Sequence, residues 1–194
     1  QTENIYSLKY IQQVSNFFST YGKTKSIHYS NLSNFLCDNS FSDFDLIILS
    51  GGDGKFYRKE YQLEHMAIRK TNIPIIGICQ GGQILSKIFS NAYHYKLINA
   101  RKKIFEKINF NSIKGDIYYN HSWIIREDDI KKDFEIIFKK ENCAIKEQIS
   151  TVNIVLLAKH RKKPIIFFQG HPEKSNEFGK SLINQALVSL GIFS

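Results

Sequence analysis

Three short apolar runs in this chain each stop abruptly in a polar or glycine-rich turn. They are Asp45–Leu49 before Ser50-Gly51-Gly52, Ile73–Ile78 before Cys79-Gln80-Gly81-Gly82, and Pro164–Phe168 before Gln169-Gly170-His171. Runs this short and this uniformly apolar lack the in-out alternation of a half-exposed strand, so each reads as a strand covered on both faces, the habit of parallel sheets. Helical spacing fills the gaps, from about Arg58 to Lys70 and from Gly81 to about Ser90, with an earlier amphipathic helix at Tyr6–Thr20 (Leu8, Ile11, Phe17 and Phe18 near one stripe) and a closing one at Glu177–Leu190. The order strand-loop-helix-strand-helix predicts an α/β fold, doubly wound, with a mostly parallel central sheet and flanking helices.

The second half has a different rhythm. Between Tyr93 and Lys159 the segments Lys103–Ile108, Ile113–Tyr119, Phe134–Phe138, Ala144–Ile149 and Asn153–Ala158 are short, β-like and separated by polar breaks, which predicts an antiparallel β excursion. Ser26–Ser30 is a further short strand candidate. With no repeat, low-complexity tract or Pro/Gly/Ser linker, residues 1–194 read as a single domain, and 42% hydrophobic with 13% aromatic content supplies a core.

Composition narrows the partners. The formal charge of +9 is spread over small groups such as Arg101-Lys102-Lys103, Lys131-Lys132, Lys139-Lys140 and Arg161-Lys162-Lys163, without a zinc-finger, RRM or basic-zipper pattern, so no nucleic-acid role is expected. No apolar stretch approaches the roughly 18 residues of a membrane span. Cys37, Cys79 and Cys143 are odd in number and widely spaced. That pattern neither staples a secreted fold nor forms a metal knuckle, and it suits a reducing cytoplasm. Neither a metal nor a cofactor is expected.

In sheets of this kind the working loops lie beyond the carboxyl ends of the strands. Gly77-Ile78-Cys79-Gln80-Gly81 has the spacing of a nucleophile on a cramped strand-to-helix turn, where glycines two residues on either side relieve the crowding. The helix N-terminus also favours a thiolate there. A cysteine nucleophile needs a base, and the base an orienting group; His171 and Glu173 follow another buried strand and lie on the same edge. A tetrahedral intermediate needs donors for its oxyanion, and the backbone N–H groups of Gly52, after the first strand, and Gln80, next after the cysteine, are the candidates.

Together, Ser50-Gly51-Gly52, Gly77-Ile78-Cys79-Gln80-Gly81-Gly82-Gln83 and Gly170-His171-Pro172-Glu173 resemble the class I glutamine amidotransferases over nearly the whole chain. Asn4–Leu8 resembles the family's first helix, and 157–171 its final hairpin. The resemblance implies Cys79 as nucleophile, His171 as general base and then acid, and Glu173 as orienter, with Gly52 and Gln80 as oxyanion donors. It also implies a substrate contact at Gln83 and at Asn120-His121-Ser122-Trp123, whose backbone holds the amino-acid end of L-glutamine. The chain departs from the family at Asp53-Gly54, where proline is usual, and at Gly170, where an aromatic is common. Helix-like sequence begins within the first few residues, so the family's first strand is expected before Gln1.

The activity implied is hydrolysis of the glutamine side-chain amide through a cysteinyl γ-glutamyl thioester. Because the sequence carries no ATP-binding loop, a partner synthetase is expected to accept the ammonia. The alternative is a free-standing γ-glutamyl hydrolase acting on another γ-glutamyl compound. A remoter reading takes Gly51-Gly52-Asp53-Gly54 as the nucleotide loop of a kinase-like protein, which leaves Cys79, His171 and Glu173 without a role.

Overall fold

The computed structural model describes residues 4–28, 31–32, 34–35, 41–52, 62–110, 112–146 and 151–193. Its elements in chain order are α1 (Asn4–Phe18), β1 (Ile47–Leu49), α2 (Gln62–Lys70), β2 (Ile75–Ile78), α3 (Gln80–Ser90), β3 (His94–Phe110), β4 (Ile113–Ile125), α4 (Glu127–Ile130), β5 (Phe134–Cys143), β6 (Val152–His160), β7 (Ile165–Phe168) and α5 (Asn176–Ser189). A five-stranded sheet in the order β1-β2-β7-β6-β5 forms the centre, and β3 with β4 makes a separate hairpin. The three predicted apolar runs are its parallel part, β1 against β2 and β2 against β7, in register Leu49↔Gly77↔Phe167. Strands β6 and β5 extend it antiparallel.

The lack of alternation in those runs follows from burial on both faces. Ile76, Ile78, Ile166 and Phe168 face one cluster with Val14 and Phe18 of α1, Leu182, Ile183 and Leu187 of α5, and Ile108 and Ile117 of the hairpin. Their neighbours Ile75, Ile165 and Phe167 face another with Ile84, Leu85 and Ile88 of α3 and Phe134 of β5. Successive side chains of each strand thus leave on opposite faces into apolar surroundings. Fully burying one such side chain contributes about 1.5–3 kcal/mol.

Several boundaries move. Helix α1 ends at Phe18 rather than Thr20, because the hydroxyls of Ser19 and Thr20 donate to the carbonyls of Asn16 and Phe17 (2.7 and 2.8 Å) and compete with the helical pattern. The expected strand at Ser26–Ser30 is not formed over 26–28, where the backbone is irregular, and 29–30 lie outside the described residues. Of Arg58–Lys70, the described part 62–70 is helical. Lys103–Ile108 and Ile113–Tyr119 are the inner parts of one long hairpin. Ala144–Ile149 is not a strand over its described part: Ile145 makes a single bridge to Leu97, and 147–149 lie outside the described residues.

Helix α3 lies very close to the sheet. A Cβ added at Gly81 would run into the backbone carbonyl of Leu49 in β1, and one at Gly82 would come within 2.7 Å of the Phe167 ring in β7. Backbone cannot yield as a flexible side chain can. In an unobstructed helix Gly→Ala stabilises by about 1 kcal/mol. Here Gly81→Ala is expected to reverse that sign and destabilise by about 1–3 kcal/mol, the range for overpacking a tight contact, read as a lower midpoint in urea unfolding.

Candidate active site

Cys79 links β2 to α3 with no loop residue between them. Its N–H donates to the Phe168 carbonyl (2.7 Å), continuing the sheet, while its own carbonyl accepts from the Gly82 and Gln83 N–H groups (3.0 and 3.3 Å), starting the helix. Meeting both demands holds it at φ 52°, ψ −105°, a conformation that side-chain-bearing residues rarely adopt. At Gly77 an added Cβ would lie 2.9 Å from the Gly82 nitrogen, so the turn closes only on glycine. The strain places the Cys79 side chain at the sheet edge.

After β7, Gln169-Gly170 lead into His171 and a 3-10 turn over Pro172–Lys174, with proline at the turn's start presetting φ. The loop is stapled to β4. The His171 N–H donates to the Tyr118 carbonyl (2.8 Å), and the Ser175 hydroxyl donates to the His171 carbonyl (2.7 Å) while accepting from the Tyr118 N–H (3.0 Å). Nδ1 of His171 meets Oε1 of Glu173 at 2.7 Å, with the two side chains only 3% and 1% exposed. With Nδ1 so occupied, Nε2 is left for the sulfur of Cys79, to which the imidazole is also hydrogen-bonded.

Burial, the largest influence on His171, works against its charged form. The hydrogen bonds to Cys79 and Glu173, with the negative charge of both, outweigh burial and raise the His171 pKa from 6.5 to about 10. An imidazolium therefore stands beside the sulfur at neutral pH.

The glycine pair after β1 closes the third side. A Cβ at Gly51 would lie 3.0 Å from Cε1 of His171 and 3.5 Å from Cβ of Cys79, and one at Gly52 would lie 2.5 Å from Oε1 of Gln80. Gln80 opens α3, so its N–H belongs to the first turn, which has no intrahelical acceptor. All five residues expected from the strand ends, Gly52, Cys79, Gln80, His171 and Glu173, thus converge.

The expected substrate-contact residues gather along β4. The Nε2 of Gln83 donates to the Trp123 carbonyl (3.0 Å), and Nδ1 of His121 lies 3.0 Å from the same oxygen. Gln83 and His121 are buried, whereas Trp123 is 42% exposed. Strand alternation puts Asn120 and Ser122, both half-buried, on the other face from His121 and Trp123, so the four side chains do not act as one group.

Two residues of the site carry no obvious signal in the sequence. Ser175 looks like a helix cap, yet its hydroxyl goes to the His171 loop instead. Gln169 looks like a solvated turn residue, yet it is fully buried with Nε2 3.7 Å from Sγ of Cys79. Asp53 and Gly54 lie outside the described residues, as does Cys37. Among the described residues no group of three or more His, Cys, Asp or Glu is placed to hold a metal, and no helix is long and apolar enough to cross a membrane.

The chain is similar to known proteins over most of its length. The family model described as glutamine amidotransferase class-I matches residues 10–190. The GMP synthase [glutamine-hydrolyzing] of Caldicellulosiruptor saccharolyticus is 29% identical over 150 residues, covering 74% of this chain and 27% of that protein. The chain thus spans about a quarter of the length of that relative. A GMP synthase [glutamine-hydrolyzing] subunit of Methanococcus maripaludis is 29% identical over 153 residues, covering 75% of this chain and 73% of the other. In fold, a crystal structure designated as a GMP synthase subunit from Thermoplasma acidophilum superposes with a TM-score of 0.67 at 19% identity, covering 93% of this chain and 87% of that one. A glutamine amidotransferase from Thermotoga maritima gives 0.52 at 15% identity, covering 87% and 84%. With a family match running from the first helix to the last and a cysteine elbow facing a histidine–glutamate pair, the chain belongs to the class-I glutamine amidotransferases.

Proposed function

We propose that the chain hydrolyses the side-chain amide of L-glutamine and passes the ammonia to a partner synthetase. The observation that carries this reading is the line Cys79–His171–Glu173, a strained cysteine hydrogen-bonded to a buried imidazole that is fixed in turn by a carboxylate at 2.7 Å. Relatives named as one subunit of GMP synthase, rather than as the whole enzyme, support a partner carried on another chain.

In the resting site the imidazole of His171 has taken up the thiol proton, so that an imidazolium stands beside the Cys79 thiolate. The sulfur attacks the side-chain carbonyl carbon, forming the C–S bond as the carbonyl electron pair moves onto oxygen. The backbone N–H groups of Gly52 and Gln80 receive that oxyanion. As the intermediate collapses, the C–N bond breaks and His171 gives its proton to the departing nitrogen, releasing ammonia and leaving a γ-glutamyl thioester. A water molecule then attacks, delivering a proton to the now neutral His171. Collapse of the second intermediate breaks the C–S bond, returns the electron pair to sulfur, frees glutamate and restores the ion pair. Glu173 holds the imidazole in orientation throughout. Gln83 and His121, by fixing the Trp123 carbonyl, set the backbone of 120–123 that receives the amino-acid end of the substrate.

Cys79→Ala is expected to reduce glutamine hydrolysis at least about a thousandfold, as loss of a triad nucleophile does, measured as glutamate release. Glu173→Gln is expected to lower kcat by about a hundredfold or more with little change in KM, since it leaves the imidazole in place but misassigns its proton. For the partner, the expected outcome is faster hydrolysis when the synthetase is added and incorporation of the amide nitrogen into its product. Steady turnover of other γ-glutamyl compounds by the chain alone, with glutamine a poor substrate, would instead support the free-standing hydrolase.

The pH dependence has a definite sign. His171 titrates at about 10 in the folded chain against 6.5 ordinarily, so its charged form contributes stability that is complete below about pH 6.5 and lost as pH rises through about 10. Cys79→Ala removes one of the two favourable partners and leaves the burial. The His171 titration followed by NMR at the ring carbons is expected to fall well below the wild-type midpoint in that variant.

A further inference from the structure

Gln169 follows directly on the apolar strand Ile165–Phe168 and is 0% exposed. Its backbone N–H is used structurally, donating to the Leu156 carbonyl at 2.9 Å. The side-chain amide is not held by the fold in the same way: Nε2 points at Sγ of Cys79, 3.7 Å away, and Oε1 is buried without a hydrogen-bond partner among the described residues. A buried amide with one half unpaired destabilises the folded state, and a Leu or Met of similar size would fill the space more favourably. What the amide offers that an apolar side chain does not is an N–H aimed at the sulfur.

We infer that Gln169 is a second hydrogen-bond donor to the Cys79 sulfur, sharing with His171 the task of holding the nucleophile as an oriented anion. The inference rests on the reading of Cys79 as the nucleophile and adds to it a group that touches the reacting atom. An N–H bond to sulfur is strong when the sulfur is a thiolate and weak when it is an acylated thioether-like sulfur. Gln169 therefore favours the resting ion pair. It also favours the moment in deacylation when the C–S bond breaks and the electron pair returns to sulfur. Unlike His171 it exchanges no proton, so its contribution persists while the imidazole passes through its neutral form.

Gln169→Met preserves bulk and removes the donor. The direct probe is the rate of Cys79 alkylation by iodoacetamide as a function of pH in the absence of glutamine, with Cys79→Ala correcting for the other cysteines. The alkylation pH profile of the Met variant is expected to move about one unit alkaline, so that the rate on its acid limb falls about tenfold, the effect of losing one hydrogen bond to a charged group. Glutamine hydrolysis should lose about ten- to a hundredfold in kcat with KM nearly unchanged, while the thermal midpoint holds or rises because the unpaired Oε1 is gone. An alkylation profile that superimposes on the wild type would overturn the inference. Should Gln169→Met not fold, the isosteric Gln169→Glu is read in its place and is expected to slow alkylation further, since a carboxylate then faces the sulfur. Failure of both to fold would also overturn it, by making the amide a structural requirement. Because alkylation reads the sulfur without substrate, this result is independent of whether wild-type protein hydrolyses glutamine, which is how failure of the proposed function itself would show.

Discussion

The double hydrogen-bonding of Cys79 is the constraint around which the rest of the molecule is arranged. Its N–H completes the β2–β7 ladder while its carbonyl opens α3, so sheet and helix meet at one residue held at φ 52°. A backbone in that state persists only when its surroundings over-determine it. Here they do so by proximity: α3 presses on β1 at Gly81 and on β7 at Gly82, and neither contact leaves room for a methyl group. Displacing the helix outward would relieve the strain and withdraw the thiol from the sheet edge at the same time.

The parallel register carries the site from there. Leu49, Gly77 and Phe167 lie abreast, so the turns that follow β1, β2 and β7 emerge side by side and bring a glycine pair, a cysteine and a histidine into one place. The hairpin of β3 and β4 is the other support. It lies outside the central sheet, yet the Tyr118 backbone holds the His171 loop and the Trp123 carbonyl receives Gln83 and His121. Strand β4 thus touches both the His171 loop and the helix that begins after Cys79.

What was legible in the sequence was local. Glycines on either side of Cys79 report the crowding of its own turn, and His171-Pro172-Glu173 encodes in three consecutive residues the reach of a carboxylate back to an imidazole. Burial on both faces leaves its mark in the unbroken apolar runs of β2 and β7. The hairpin was legible only in its middle. Register shifts between Lys96 and Arg101 and between Arg101 and Ile104 break the period of two, so β3 back to His94 carried no clean alternation. At Ala144–Ile149 and Ser26–Ser30 the residues have strand propensity, but a strand exists only where another pairs with it, and over their described parts neither finds more than the Ile145 bridge.

By itself the sequence determined the fold class, the family and the chemical identity of the Cys79, His171 and Glu173 line, because each of these is written in short-range patterns of residue type and spacing. The tertiary structure decided which polar groups those residues meet. It turned Ser175 from a helix cap into a staple on the His171 loop and Gln83 into a brace for the Trp123 carbonyl. It also buried Gln169 against a sulfur 90 positions earlier in the chain. The reason is physical: a polar side chain is neutral towards its own segment's pattern, and its role is set by the hydrogen-bond partner that packing places within reach.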